Sequence, residues 1–139
     1  MQDRPSAEQL LAAARAFLTE TAMPQLTAHA AFHARVAGNV LDIVARELAL
    51  APSFAKAEQA RLSSLLGETG DLAALNRKLC EKIAAGEMDL SNEALKTHLI
   101  KVTMGKLAID QPGYQGYKTA LANGWPEENG WPEEDALEA

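Results

Sequence analysis

Apolar side chains recur every three or four residues along most of the first 110 positions, which is the spacing of one face of an α-helix. The pattern predicts five helices, over residues 6–23, 27–50, 53–66, 71–86 and 91–109. The second predicted helix is the most apolar. Its inward face is expected to carry Phe32, Val36, Val40, Ile43 or Val44, and Leu48.

Helix boundaries are marked by residues that cap or interrupt a helix. Ser6 and Gln9 have the spacing of a capping box, in which two orphan N–H groups are satisfied reciprocally. Pro52 is expected to end the second helix because proline lacks an N–H, and Ser53 is expected to cap the third. Ser91 is expected to open the fifth helix.

Short connections between these helices predict an all-α fold, an antiparallel bundle of about five helices. Alanine and leucine dominate while aromatic residues make up only 5%, which favours helices over strands. Residues 1–117 are predicted to form one domain. Residues 118–139 are predicted to form a flexible, irregular acidic tail, in which NGWPEE occurs twice in succession.

The net charge of −6 is concentrated in that tail. Residues 123–139 hold six of the 19 acidic residues and no basic one, so residues 1–122 balance 13 acidic against 13 basic residues. The absence of a basic surplus argues against nucleic-acid binding. No signal peptide or membrane-length apolar run is evident, so we expect a cytoplasmic protein whose single cysteine, Cys80, is buried.

The second predicted helix carries a polar series beside its apolar residues. One interpretation is a solvated helix face in which Arg35 and Arg46 pair with Asp42. The other is a partly buried network that receives a partner's polar group, since buried charges must be paired. The series consists of His33, Arg35, Asn39, Asp42, Arg46 and Glu47.

No catalytic constellation, metal cage or cofactor motif is evident. His29 and His33 are four residues apart and could share a metal ion, but they lack the glutamate and third ligand of a zinc-protease helix. We therefore predict no metal site and no cofactor. Trp125 and Trp131 on the acidic tail have the character of aromatic docking anchors, with harmless duplication as the alternative.

Four stretches resemble a bacterial family of small helical domains of unknown function: RPSAEQLLAAARAFL, FHARVAGNVLDIVARE, DLAALNRKLCEKIAAGEMDL and KLAIDQPGY. The resemblance covers about residues 2–117. It implies genes placed beside acyl-CoA dehydrogenases and aminoglycoside-phosphotransferase-like kinases, and it implies no catalytic residue. Gln111 stands where the family more often has asparagine. The family-like polar positions are His33, Arg35, Asn39, Arg46, Glu47, Lys106, Asp110, Pro112 and Tyr114.

Two functional hypotheses follow. The first is a non-catalytic accessory module that binds a protein partner, such as an acyl-CoA dehydrogenase or the kinase-like enzyme, through the polar series of the second helix and the segment around Lys106–Tyr114. The second is a small-ligand-binding or enzymatic protein, with a cleft between helices lined by His33, Arg35, Asn39 and Arg46. A flavin-dependent acyl-CoA dehydrogenase itself does not fit a chain of this size. Self-association into a homodimer is open under both hypotheses.

Overall fold

The computed structural model describes residues 4–125, and within this range it contains helices and turns but no strand. The prediction of an all-α fold with about five helices is confirmed. The helices are α1 (Ala7–Ala16), α2 (Ala28–Leu66), α3 (Leu72–Ala84), α4 (Glu93–Asp110) and α5 (Gln115–Ala122). The chain divides into two compact units, unit 1 (Met1–Ala49) and unit 2 (Leu50–Ala139).

Unit 1 begins with the predicted capping box. The Ser6 hydroxyl accepts a hydrogen bond from the Gln9 N–H at 3.3 Å, and the Gln9 side chain accepts one from the Ser6 N–H at 2.9 Å. The helical path continues beyond α1 through a π-helical segment, Phe17–Ala22, and a 3₁₀ turn, Met23–Gln25. Pro24 lies in the first positions of that turn, where a missing N–H costs little.

Pro52 does not end a helix, and this corrects the predicted division at residues 50–53. α2 runs without interruption from Ala28 to Leu66, with Pro52 inside it. Ser53 is therefore not a cap. Its hydroxyl instead donates to the Leu50 carbonyl at 2.8 Å. The helix persists because Leu50 and Phe54, on either side of the proline, belong to the same hydrophobic cluster.

Unit 2 contains two clusters of buried apolar side chains. The first joins Leu50 of α2 to Met104 and Ala108 of α4 and to Tyr117 of α5. The second joins Leu62, which is 0% exposed, to Leu75 and Leu79 of α3 and to Leu95 of α4. Both clusters thus pack α2 against α4 within unit 2.

The caps of the later helices are mostly those expected. The Asp71 carboxylate accepts from the Ala74 N–H at 2.8 Å, and Gly67 and Gly86, which follow α2 and α3, have positive φ. The exception is α4, which is capped by Asn92 rather than Ser91.

The C-terminal end of the described chain is more helical than expected. α5 spans Gln115–Ala122, and its Tyr117 is only 4% exposed. The boundary predicted after residue 117 lies within this helix, and the division into domain and tail stays a prediction. Most of the predicted tail, including Trp131, lies outside the described residues.

Candidate functional site

Five large apolar side chains of α2 in unit 1 are exposed, although the sequence pattern predicted them to be inward. They follow one another at steps of four residues along the helix, and each is at least 37% exposed. We call this set the apolar row: Phe32, Val36, Val40, Val44 and Leu48. Such a series is one of the ridges by which helices pack against one another.

Opposite Phe32, Val36 and Val40, the buried side of α2 in unit 1 is built from small residues. Ala34 and Gly38 are buried there, about 160° around the helix axis from Val36 and Val40. An added Cβ at Gly38 would lie 3.6 Å from the methyl group of Thr19. The small side chains, not the large ones, therefore face the N-terminal segment, and this is why the predicted inward face is wrong.

An ion pair lies on the same side of α2. Asp42 pairs with Arg15 of α1, a partner that the sequence analysis did not propose. Both side chains retain solvent contact, at 48% exposure for Arg15 and 29% for Asp42, so the pair contributes little to stability.

Three of the polar candidates on α2, His33, Arg35 and Asn39, have exposed side chains beside the apolar row. Glu47 is exposed as well. Arg46 is partly buried and takes part in an interaction. The structure thus places polar groups along the edges of the row, and their predicted role in binding stays a prediction.

His29 and His33 contact each other at one edge of this surface. Their Nε2 atoms are 3.3 Å apart and their rings meet edge to face, with centroids separated by 4.6 Å. The contact requires one nitrogen to carry a proton that the other accepts. Across residues 4–125, no group of three or more His, Cys, Asp or Glu side chains could hold a metal ion.

The C-terminal candidates occupy separate positions. Lys106 and Asp110 are exposed on α4, and Tyr114 is exposed as the residue preceding α5. The Tyr114 ring lies against Gly116, where an added Cβ would be 2.6 Å from a ring carbon, so a larger residue at this position would displace the exposed ring. The Trp125 side chain is 47% exposed, and the backbone N–H of Trp125 donates to the Ala120 carbonyl at 2.9 Å.

A cleft of about 210 Å³ lies in unit 2 between α2 and α4. Its walls are largely apolar, with Phe54 from α2 and Val102 and Ile109 from α4. Charged side chains also line it, namely Glu58, Arg61, Lys101 and Lys106. Among the predicted binding residues, Lys106 lines this α2–α4 cleft and the others do not.

Arg61 and the neighbouring His98 each carry a buried polar atom in unit 2. The Arg61 Nε and the His98 Nδ1 are buried without a hydrogen-bond partner. Burial lowers the pKa of Arg61, while the nearby Glu58 carboxylate opposes that shift. Burial, followed by the charge of Arg61, lowers the pKa of His98, so its imidazole is neutral at neutral pH.

Glu58, whose carboxylate lies near Arg61, also contacts α3. Its Oε1 accepts a hydrogen bond from the Asn76 side chain at 2.8 Å. Sequence reasoning did not identify Glu58 or Arg61 as candidates, because charged residues on a helix are usually solvated and no motif marks these two. Cys80, expected to be buried, is exposed on α3.

The fold and these surfaces define a small helical domain. A family model described as a domain of unknown function, DUF6285, matches residues 24–114. The match covers more than half of the chain, which therefore belongs to this family, and the predicted resemblance to a family of unknown function is confirmed. The match begins after α1 and ends before α5.

No curated protein and no solved structure matches the chain. In the part of the chain that the structure describes, no helix combines the length and the apolarity needed to cross a bilayer.

Proposed function

We propose that this protein is a non-catalytic accessory module that binds a protein partner through the apolar row of unit 1. The observation that supports the proposal is the orientation of α2, which buries Ala34 and Gly38 while Phe32, Val36 and Val40 remain exposed. Single exposed apolar residues are common, but a continuous series on one helix is typical of an interaction surface.

The geometry of the row specifies the kind of partner. Residues at four-residue steps form a ridge that fits the groove between side-chain rows of another helix, so a helical surface with an apolar groove is the matching shape. His33, Arg35 and Asn39 lie at its edges and would form the polar rim that surrounds the apolar centre of such interfaces.

The partner that we propose is a cytoplasmic enzyme, either an acyl-CoA dehydrogenase or an aminoglycoside-phosphotransferase-like kinase. This choice rests on the gene neighbourhood that the family resemblance implies. In this role the protein would alter the assembly or stability of the enzyme and would itself perform no reaction.

The test is affinity purification of the tagged full chain from its own host, followed by mass spectrometry. We expect stoichiometric recovery of one of these enzymes with the wild type and its loss in the double variant Val36→Asp/Val40→Asp, because an interface would bury both carboxylates without partners. Both positions are exposed in the free chain, so the variant should fold normally.

The matched control is Leu90→Asp, which introduces the same charge at an exposed leucine of unit 2. Recovery of the enzyme with this control is expected to equal that of the wild type. Undiminished recovery with the double variant, or recovery of neither enzyme with the wild type, would contradict the proposal. If the tagged wild type recovers only a second copy of the chain, the partner of the apolar row is that second copy and not an enzyme.

A further inference from the structure

We infer that the α2–α4 cleft of unit 2 is a binding site for a small organic anion that carries a short apolar chain. The cleft lies entirely in unit 2, so this inference does not depend on the partner surface of unit 1. It rests on the charges that line the cleft, on the guanidinium of Arg61 among them, and on the size and apolarity of the cleft walls.

The charges favour an anion. Arg61, Lys101 and Lys106 supply three positive charges against the single carboxylate of Glu58. One oxygen of that carboxylate already accepts a hydrogen bond from Asn76. By formal charge the lining of the cleft is therefore positive, which favours an anionic over a cationic ligand.

Arg61 supplies a specific donor as well as charge. Its side chain lines the cleft, and its Nε is buried without a hydrogen-bond partner. Because the Nε is closed to solvent, an oxygen of a ligand in the cleft would bond the terminal nitrogens of the guanidinium. The planar guanidinium is suited to such oxygens because it can donate two parallel hydrogen bonds.

The apolar wall of the cleft determines the character and the size of the uncharged part of the ligand. Phe54, Val102 and Ile109 line the cleft, together with the α4 backbone at Gly105. The volume of about 210 Å³ is smaller than the roughly 300 to 1,000 Å³ of sites for drug-sized ligands. A ligand of a few carbon atoms with one anionic group fits these limits.

The test is a titration of the ¹⁵N-labelled full chain, in which backbone amide shifts are followed by NMR. The probes are sodium butyrate, sodium acetate, inorganic phosphate and n-butylammonium chloride at constant ionic strength. We expect butyrate to shift amides of residues 101–106 saturably and to bind more tightly than acetate by about four-fold or more, because its additional methylenes contact the apolar wall.

Variants assign the site to its residues. Arg61→Lys keeps the charge but loses the planar fork, and is expected to weaken butyrate binding about ten-fold. Lys106→Gln removes a charge at an exposed position and is expected to weaken it about three-fold. Lys96→Gln, on the same helix but away from the cleft, is the matched control and should bind like the wild type.

The outcomes separate the anion sources. Saturable binding of phosphate but not of butyrate would identify a phosphate group as the anion, and the reverse would identify a carboxylate. The inference is overturned if no probe gives saturable shifts, if butylammonium binds as well as butyrate, or if Lys106→Gln binds like Lys96→Gln. Thermal melts show whether Arg61→Lys is folded, and Lys106→Gln decides the question if it is not.

Discussion

Replacing Pro52 by alanine is expected to stabilise the protein, because the proline lies inside a continuous helix. It has no N–H to donate to the Leu48 carbonyl, and its ring crowds that group. Proline in a helix interior is about 3 kcal/mol less favourable than alanine, and part of this cost is already relieved where the helix has adjusted around it. Pro52 is exposed, so alanine leaves no cavity. We expect a gain of about 2 kcal/mol in the free energy of unfolding.

Thermal and urea unfolding, followed by circular dichroism at 222 nm, measure this gain. A change of about 2 kcal/mol corresponds to a rise in Tm of about 8 °C for a chain of this length. The control is Pro24→Ala, in a 3₁₀ turn that accommodates proline, where the only expected change is a loss of about 0.5 kcal/mol through the more flexible unfolded chain. An unchanged or lower Tm for Pro52→Ala would refute the reasoning and support two separate helices.

Three further predictions concern the two units. Leu62→Ala should lower the free energy of unfolding by about 3 to 4 kcal/mol in urea titrations, because Leu62 is fully buried and its loss leaves a cavity. Gly38→Ala should raise it by about 1 kcal/mol in the same assay, since the helix favours alanine and the new methyl group meets Thr19 at an ordinary contact distance of 3.6 Å. His98 has a lowered pKa in the folded chain, so the unfolded chain binds the proton first as the pH falls. The stability that neutral His98 contributes is therefore present above pH 6.5 and is lost as the pH falls below that value. The urea concentration at the midpoint of unfolding should accordingly differ less between pH 7.5 and pH 5.0 for His98→Leu than for the wild type.

The sequence predicted the helices where local signals are strong. The Ser6–Gln9 capping box, the Asp71 cap and the glycines after α2 and α3 each act through hydrogen bonds or backbone conformations within a few residues. Such signals can be read without knowledge of the tertiary structure.

Pro52 shows where a local rule fails. Proline usually ends a helix, but here Leu50 and Phe54 are held in one cluster on both sides of it. The packing of α4 and α5 against these residues outweighs the local cost, and that packing cannot be inferred from the residues around position 52 alone.

The candidate sites were harder to predict than the helices. The apolar periodicity of α2 identifies a face, but it does not indicate whether that face meets the same chain or another molecule. Glu58 and Arg61 are ordinary helix charges until α4 is placed beside them, so the α2–α4 cleft has no sequence signature. Lys106 was identified through the family resemblance alone.

The small-residue side of α2 has a consequence for how mutations are tolerated. In unit 2, positions such as Leu75 are sensitive to truncation, because deleting a large buried side chain leaves a void. Ala34 of unit 1 has only a methyl group to lose, so it is a larger side chain at this position that would destabilise the fold. In a saturation mutagenesis library, Ala34 of unit 1 should therefore be intolerant of larger residues, whereas the buried leucines of unit 2 should be intolerant of smaller ones.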